Sequence, residues 1–203
     1  MAHDVVIISE SIGAADVRFD AEQSLKDVPR PILSFEPYMY NDAAWTGQAI
    51  FTDFGHTGMA AVKDLGLNRP IDSVFLSEID HPLNLGLRGK VKIYEEPYRV
   101  AFGVPAGAAV VVATADPQGK VPAMFVYDSG DALVDGSIAP AARMGLFLGQ
   151  GAALSAAHKP PGDFTNLTLV GRSLLGAAVE YALDPENVYQ PGLRELVENN
   201  KHV

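Results

Sequence analysis

Four consecutive β-branched residues, Val5, Val6, Ile7 and Ile8, stand between Asp4 and Ser9 with no polar residue among them. A strand with one wet face alternates apolar and polar residues, so an unbroken run fits a strand buried on both faces of a parallel sheet. Pro31-Ile32-Leu33-Ser34-Phe35 reads as a second such strand, stopped by Glu36-Pro37. Residues 72–77 and 90–94 alternate like strands with an exposed face, and 109–114, 123–127 and 143–148 are three further strand candidates. One long helix is expected over Thr165 to Leu183, capped by Thr165 or Asn166. Its apolar stripe is Leu167, Val170, Leu174, Leu175, Ala178 and Tyr181. Short helical pieces are expected at 21–28, 59–65 and 193–199. Strands outnumbering helices, with no repeat or linker between them, predict one α/β domain over residues 1–203.

Composition narrows the function classes. The 203 residues are 48% hydrophobic and 20% charged, as in ordinary globular proteins. A formal charge of −10 with singly scattered Lys and Arg makes nucleic acid a poor partner. The chain has no cysteine, which removes disulfides, thiolate metal sites and cysteine nucleophiles together. The start lacks a basic, apolar leader and residues 5–8 are too short to span a bilayer, so a soluble, cytoplasmic chain without membrane contact is expected.

Several segments in order resemble the class I glutamine amidotransferase-like family, which includes trehalose-utilisation-type proteins. They are residues 4–11, Val28 to Tyr38, His81-Pro82-Leu83-Asn84-Leu85-Gly86, Phe102-Gly103-Val104-Pro105, residues 143–148 and Leu167 to Leu175. The resemblance implies a flavodoxin-like three-layer sandwich around a mostly parallel central sheet with added antiparallel strands. Relatives begin with a strand, a helix and a second strand that this sequence lacks, so the edge along residues 4–9 is expected to be open. An open β-branched edge invites pairing, and a homodimer contact there is expected. The family's cysteine elbow falls at Phe35 or Glu36, so the resemblance implies no glutamine hydrolysis.

Ligands of open α/β sheets bind beyond the carboxyl ends of the strands. Glu10 follows the first strand and Glu36 the second. If those strands are neighbours, about 5 Å apart, the two carboxylates fit the spacing of glycoside hydrolysis, with one group kept protonated as the acid. A glutamate so placed also serves as a turn cap or a salt-bridge partner. His56, in Phe54-Gly55-His56-Thr57-Gly58, reads as an imidazole on a glycine-flanked loop. Tyr38, Tyr40, Trp45, Phe51 and Phe54 would form either a stacking platform for a sugar ring or a small satellite core. His81 reads as a structural turn residue before Pro82, and His158 is set beside the site because relatives carry a late histidine. Ser11 completes the set.

The expected function is therefore a small hydrolase acting on a glycoside or related small molecule, with a carbohydrate among the candidate substrates. Glu36 and Glu10 are its catalytic residues, and Ser11, Tyr38, Trp45, His56 and His158 bind substrate. A non-catalytic binding domain is the alternative, and a serine esterase or lactonase using Ser9 or Ser11 is the third reading. No Gly-x-Gly-x-x-Gly or phosphate loop occurs, and Asp128, Asp131 and Asp135 lack the calcium-loop pattern, so no cofactor or metal is expected.

Overall fold

The computed structural model describes residues 4–14, 25–149, 164–186 and 188. Nine strands occur among them: β1 (Val6–Ile8), β2 (Ile32–Ser34), β3 (Phe54–His56), β4 (Ser73–Leu76), β5 (Gly89–Lys92), β6 (Ala101–Gly103), β7 (Val110–Thr114), β8 (Pro122–Tyr127) and β9 (Arg143–Gly145). Helix α1 covers Leu169–Leu183. Seven strands make one sheet in the order β1-β2-β9-β8-β7-β4-β5, while β3 and β6 pair separately. The fold is mixed α/β and rich in sheet.

Only β1, β2 and β9 run parallel, and every other pairing in the large sheet is antiparallel. The expectation of a mostly parallel sheet is corrected here. Residues 115–121 are all that separate β7 from β8. A parallel return needs a crossover of a dozen residues or more, so so short a connection must turn back antiparallel. The turn is held by Asp116, whose carboxylate accepts hydrogen bonds from the backbone N–H groups of Gln118, Lys120 and Val121.

Alternation along the strands sends side chains to two separate cores. On β2, Leu33 packs in a cluster with Met144 of β9 and with Leu174, Leu175, Ala178 and Tyr181 of α1. Its neighbour Ile32 joins the other cluster, with Met39, Tyr40, Trp45, Phe125 and Tyr127. The predicted stripe of α1 is buried throughout. Burying each of its leucines is worth about 1.5–3 kcal/mol, so this helix is held by its packing. At Gly145 on β9 the cross-strand partner Phe125 lays its ring where a Cβ would stand, 2.3 Å away.

The helix starts later than expected. Thr168 is the cap: its Oγ1 accepts from Gly171 N at 3.0 Å and donates to Lys92 O at 2.8 Å. Asn166 is engaged elsewhere, accepting from Glu96 N and donating to Glu96 O, and residues 164–166 form a separate 3-10 turn. β1 also departs from its expectation. It ends the sheet and Ile7 is 50% exposed, so it is not buried on both faces. β4 departs the other way: held between β7 and β5, it is buried at Ser73, Val74 and Leu76 and does not alternate. The expected pieces at 21–28 and 59–65 contain 3-10 turns at Leu25–Asp27 and Ala60–Leu65. The piece at 193–199 lies outside the described residues.

Arg143 fastens the amino-terminal ends of β2 and β9. It is fully buried, and its guanidinium donates to the carbonyls of Arg30, Ala141, Ala142, Lys26 and Val28 at 2.7–3.2 Å. Desolvation pulls its pKa down to about 10, which leaves it charged at neutral pH. Among the described residues no helix is long and apolar enough to cross a membrane.

Candidate functional site

β1 and β2 are parallel neighbours with Ile8 opposite Ser34, and Phe35 N continues the ladder to Ile8 O at 3.0 Å. Glu10 and Glu36 each stand two residues beyond that pair. The two glutamates therefore leave the same end of adjacent strands, whose spacing is about 4.8 Å. This is the juxtaposition the sequence made conditional on the strands being neighbours.

The local sequence fixes Glu36. Pro37 opens a 3-10 turn over Pro37–Met39, where its missing N–H costs nothing and its φ suits the turn. Glu36 caps that turn, its Oε1 accepting from Tyr38 N at 2.9 Å, while Glu36 N donates to Ser34 Oγ at 3.1 Å. The residue is 2% exposed. Burial pushes its carboxyl up from the usual 4.5 to about 7, against the opposing pull of the Tyr38 hydrogen bond. Near neutral pH such a group exists in both protonation states, as a general acid requires.

His56 sits on β3, opposite Ala101 of β6, and is wholly buried, so the loop placement expected for it is corrected. A fully enclosed strand position suits Phe54-Gly55-His56 because both rims of this ribbon are covered: Phe54 packs into the second core, and a Cβ on Gly55 would meet the Phe51 and Phe102 rings. The imidazole Nε2 lies 3.5 Å from Glu10 Oε1, and both side chains are inaccessible to solvent. Desolvation first, and the charge of Arg99 second, hold the imidazole down to about 3. The contact is thus between a neutral ring and a carboxyl, and 3.5 Å is longer than a formed N–H···O bond. His56 Nδ1 has no hydrogen-bond partner among the described residues either.

Tyr38 closes the group from the outside. Its ring meets His56 edge-on at 5.3 Å and Phe54 at 6.1 Å, and its hydroxyl reaches Met59 Sδ at 3.1 Å. Burial and then the Glu36 charge push the phenol up to about 12, with Glu10 adding to the rise, so Tyr38 is a neutral donor.

The remaining expected residues part company. Trp45 is 1% exposed and stacks on Tyr40 at 5.5 Å, so it belongs to the core and offers no platform to a sugar. The five aromatics divide because Tyr40, Trp45 and Phe54 are drawn under the sheet by Phe125 and Tyr127. Ser11 is exposed and its hydroxyl bonds to Ser9 Oγ at 2.8 Å, not to a described histidine that could act as its base. His158 lies outside the described residues. His81 is a turn residue as expected, its Nδ1 accepting from Leu83 N at 3.3 Å. Asp131 likewise organises its own turn by accepting from Asp128 N.

Arg99 was missed by sequence reasoning. Its signal was a lone cation between Tyr98 and the apolar run Val100-Ala101-Phe102, an unusual place for a charge unless something nearby uses it. Two surface cavities, of about 500 Å³ beside Arg69 and Lys90 and about 420 Å³ beside Asp128 and Tyr181, touch none of Glu10, Glu36 and His56. Comparison with known proteins shows no match: no family model fits the chain, and no curated protein or solved structure is significantly similar to it.

Proposed function

We propose that the chain is a small hydrolase acting on a glycoside or related small molecule, with Glu36 as the acid and Glu10 as its partner carboxylate. The observation that carries the reading is the carboxyl of Glu36, raised to about 7 at a strand end in register with Glu10. Glu36 donates its proton to the leaving oxygen as the bond from that oxygen to the anomeric carbon breaks. Glu10 takes a proton from the water that attacks the same carbon. His56, neutral and buried against Glu10, positions that carboxylate, and Tyr38 offers a hydroxyl at the outer side.

A likeness to the amidotransferase-like, flavodoxin-like architecture belongs to the same proposal. It is supported by the parallel trio β1, β2 and β9 and by the tight turn at Glu36-Pro37 after β2. So does a homodimer joined along β1, supported by its place at the end of the sheet and by the exposure of Ile7. A monomer by light scattering would remove that part.

One observation favours the second reading, a non-catalytic binding domain: Glu10, Glu36 and His56 are at most 3% exposed, and Glu36 already works as a cap. Turnover separates the two. The purified protein, Glu36→Gln and Glu10→Gln are assayed on chromogenic glycosides and short-chain esters. Glycoside cleavage that falls at least about 100-fold in Glu36→Gln, as for loss of a general acid, supports the hydrolase. No cleavage of any substrate by the folded wild type supports the binding domain, and ester cleavage untouched by either variant refutes the carboxylate pair.

A further inference from the structure

Arg99 is placed by the β3–β6 ribbon. The pairing of His56 with Ala101 continues past the strand ends, since Thr57 N donates to Val100 O and Val100 N donates to Thr57 Oγ1, both at 2.9 Å. Side chains alternate along such a ribbon, so Arg99 lies on the side of Ala101 and His56, one diagonal step away. Gly149 marks the convergence: a Cβ there would stand 2.6 Å from Arg99 O and 2.9 Å from His56 Cδ2. The positive charge also acts on the Tyr38 phenol.

This guanidinium is incompletely satisfied. Its Nε is sealed from solvent and has no hydrogen-bond partner among the described residues. None of the ion pairs among those residues includes it. A buried N–H without an acceptor carries a desolvation penalty that an incoming acceptor removes. Burial divides the cluster: Arg99 and Tyr38 are half-buried, whereas Glu10, Glu36 and His56 are fully buried. Of the arginine, glutamate and histidine residues in the cluster, Arg99 is therefore the one that keeps contact with solvent. The fixed fork of an arginine matches a carboxylate through two parallel hydrogen bonds, which an uncharged sugar hydroxyl does not supply.

We infer that Arg99 is the specificity-determining residue of this site and selects a small substrate that carries a carboxylate, in the proposed hydrolysis a glycoside of a uronic acid. The inference rests on the hydrolytic reading for the reaction, but not for the binding.

Binding tests it directly. Wild type, Arg99→Met and Arg99→Lys are titrated by calorimetry with glucuronate and galacturonate, with the methyl ester of each, and with glucose and galactose. At least one acid is expected to bind the wild type about ten-fold tighter than its ester or more, the size of one charge-assisted contact. Arg99→Met should bring acid and ester within about two-fold of each other, and Arg99→Lys should keep only part of the preference. Equal responses to acid and ester, including no response to either, overturn the assignment, as does a preference that survives in Arg99→Met. Should Arg99→Met fail to fold by circular dichroism, the wild-type comparison and Arg99→Lys decide, and an undiminished preference in Arg99→Lys overturns it. Uronate selectivity without cleavage of nitrophenyl uronides leaves Arg99 assigned and removes the hydrolase. Cleavage of neutral glycosides without uronate selectivity removes Arg99 alone.

Discussion

Replacing Glu36 with Gln isolates the proton that the fold holds there. An unfolded glutamate ionises near 4.5, whereas the buried Glu36 keeps its proton to about 7. Between those values the folded chain binds a proton that the unfolded chain has released, so stability falls as pH rises. The associated stability is fully present below 4.5 and is lost as pH rises through about 7. At about 1.4 kcal/mol per pH unit the difference is about 3 kcal/mol, and water reaching the rim of the site reduces it to roughly 1–3 kcal/mol. Glutamine keeps an oxygen for the 2.9 Å bond from Tyr38 N but cannot ionise. Urea unfolding of both proteins at pH 4.5 and pH 8 reads the effect as a difference of differences, in which the other titrating groups cancel. The wild type should lose roughly 1–3 kcal/mol relative to Glu36→Gln across that interval, about 2–4 °C in Tm for each kcal/mol in a chain of this size. If Glu36 is the general acid, kcat/KM of the wild type should fall with the same midpoint near 7, because the active form is the protonated one. Parallel stability profiles for the two proteins would refute the raised carboxyl and the acid role with it.

His56 should stay neutral through the working range: with its pKa held down to about 3, its imidazole NMR resonances should not move between pH 5 and 8, and a midpoint near the ordinary value of about 6.5 would refute the burial argument. Gly149→Ala should cost about 1–3 kcal/mol by overpacking, because the new methyl meets the Arg99 carbonyl and the His56 ring. It should also weaken turnover or uronate binding in chain that remains folded, and a change under about 0.5 kcal/mol by urea unfolding would refute the close approach. Arg143→Lys leaves at least two of five carbonyl acceptors unserved, since an ammonium has three donors. A loss of about 2–4 kcal/mol in thermal or urea unfolding is expected, and a loss below about 1 kcal/mol would refute the role given to Arg143.

Local pattern alone fixed much of this molecule. The strand candidates at 31–35, 109–114, 123–127 and 143–148 correspond to β2, β7, β8 and β9, because apolar stretches of this length have few other ways to leave water. The stripe of α1 could be read directly, because helical spacing is set within the chain itself. The placement of Glu10 and Glu36 after two successive runs was legible too, as was the turn role of His81 before Pro82. Strand direction was not: it depended on the few residues between Thr114 and Pro122 and on which neighbour each strand met. Thr168 became the cap because Asn166 was bound to Glu96, a partner 70 residues away. The short ribbon of β3 and β6 joins residues about fifty positions apart, and no periodicity in either three-residue piece announces such a pairing. That ribbon turned His56 from a presumed loop residue into a buried one and set Arg99 beside it. Trp45 went under the sheet through packing with Tyr40, Phe125 and Tyr127, again a contact between distant segments. Sequence determined which residues prefer strand, helix or turn, since those preferences are local. Tertiary structure decided which charges share a buried space, and therefore which of them keep their protons, because desolvation acts only once distant segments have closed around them.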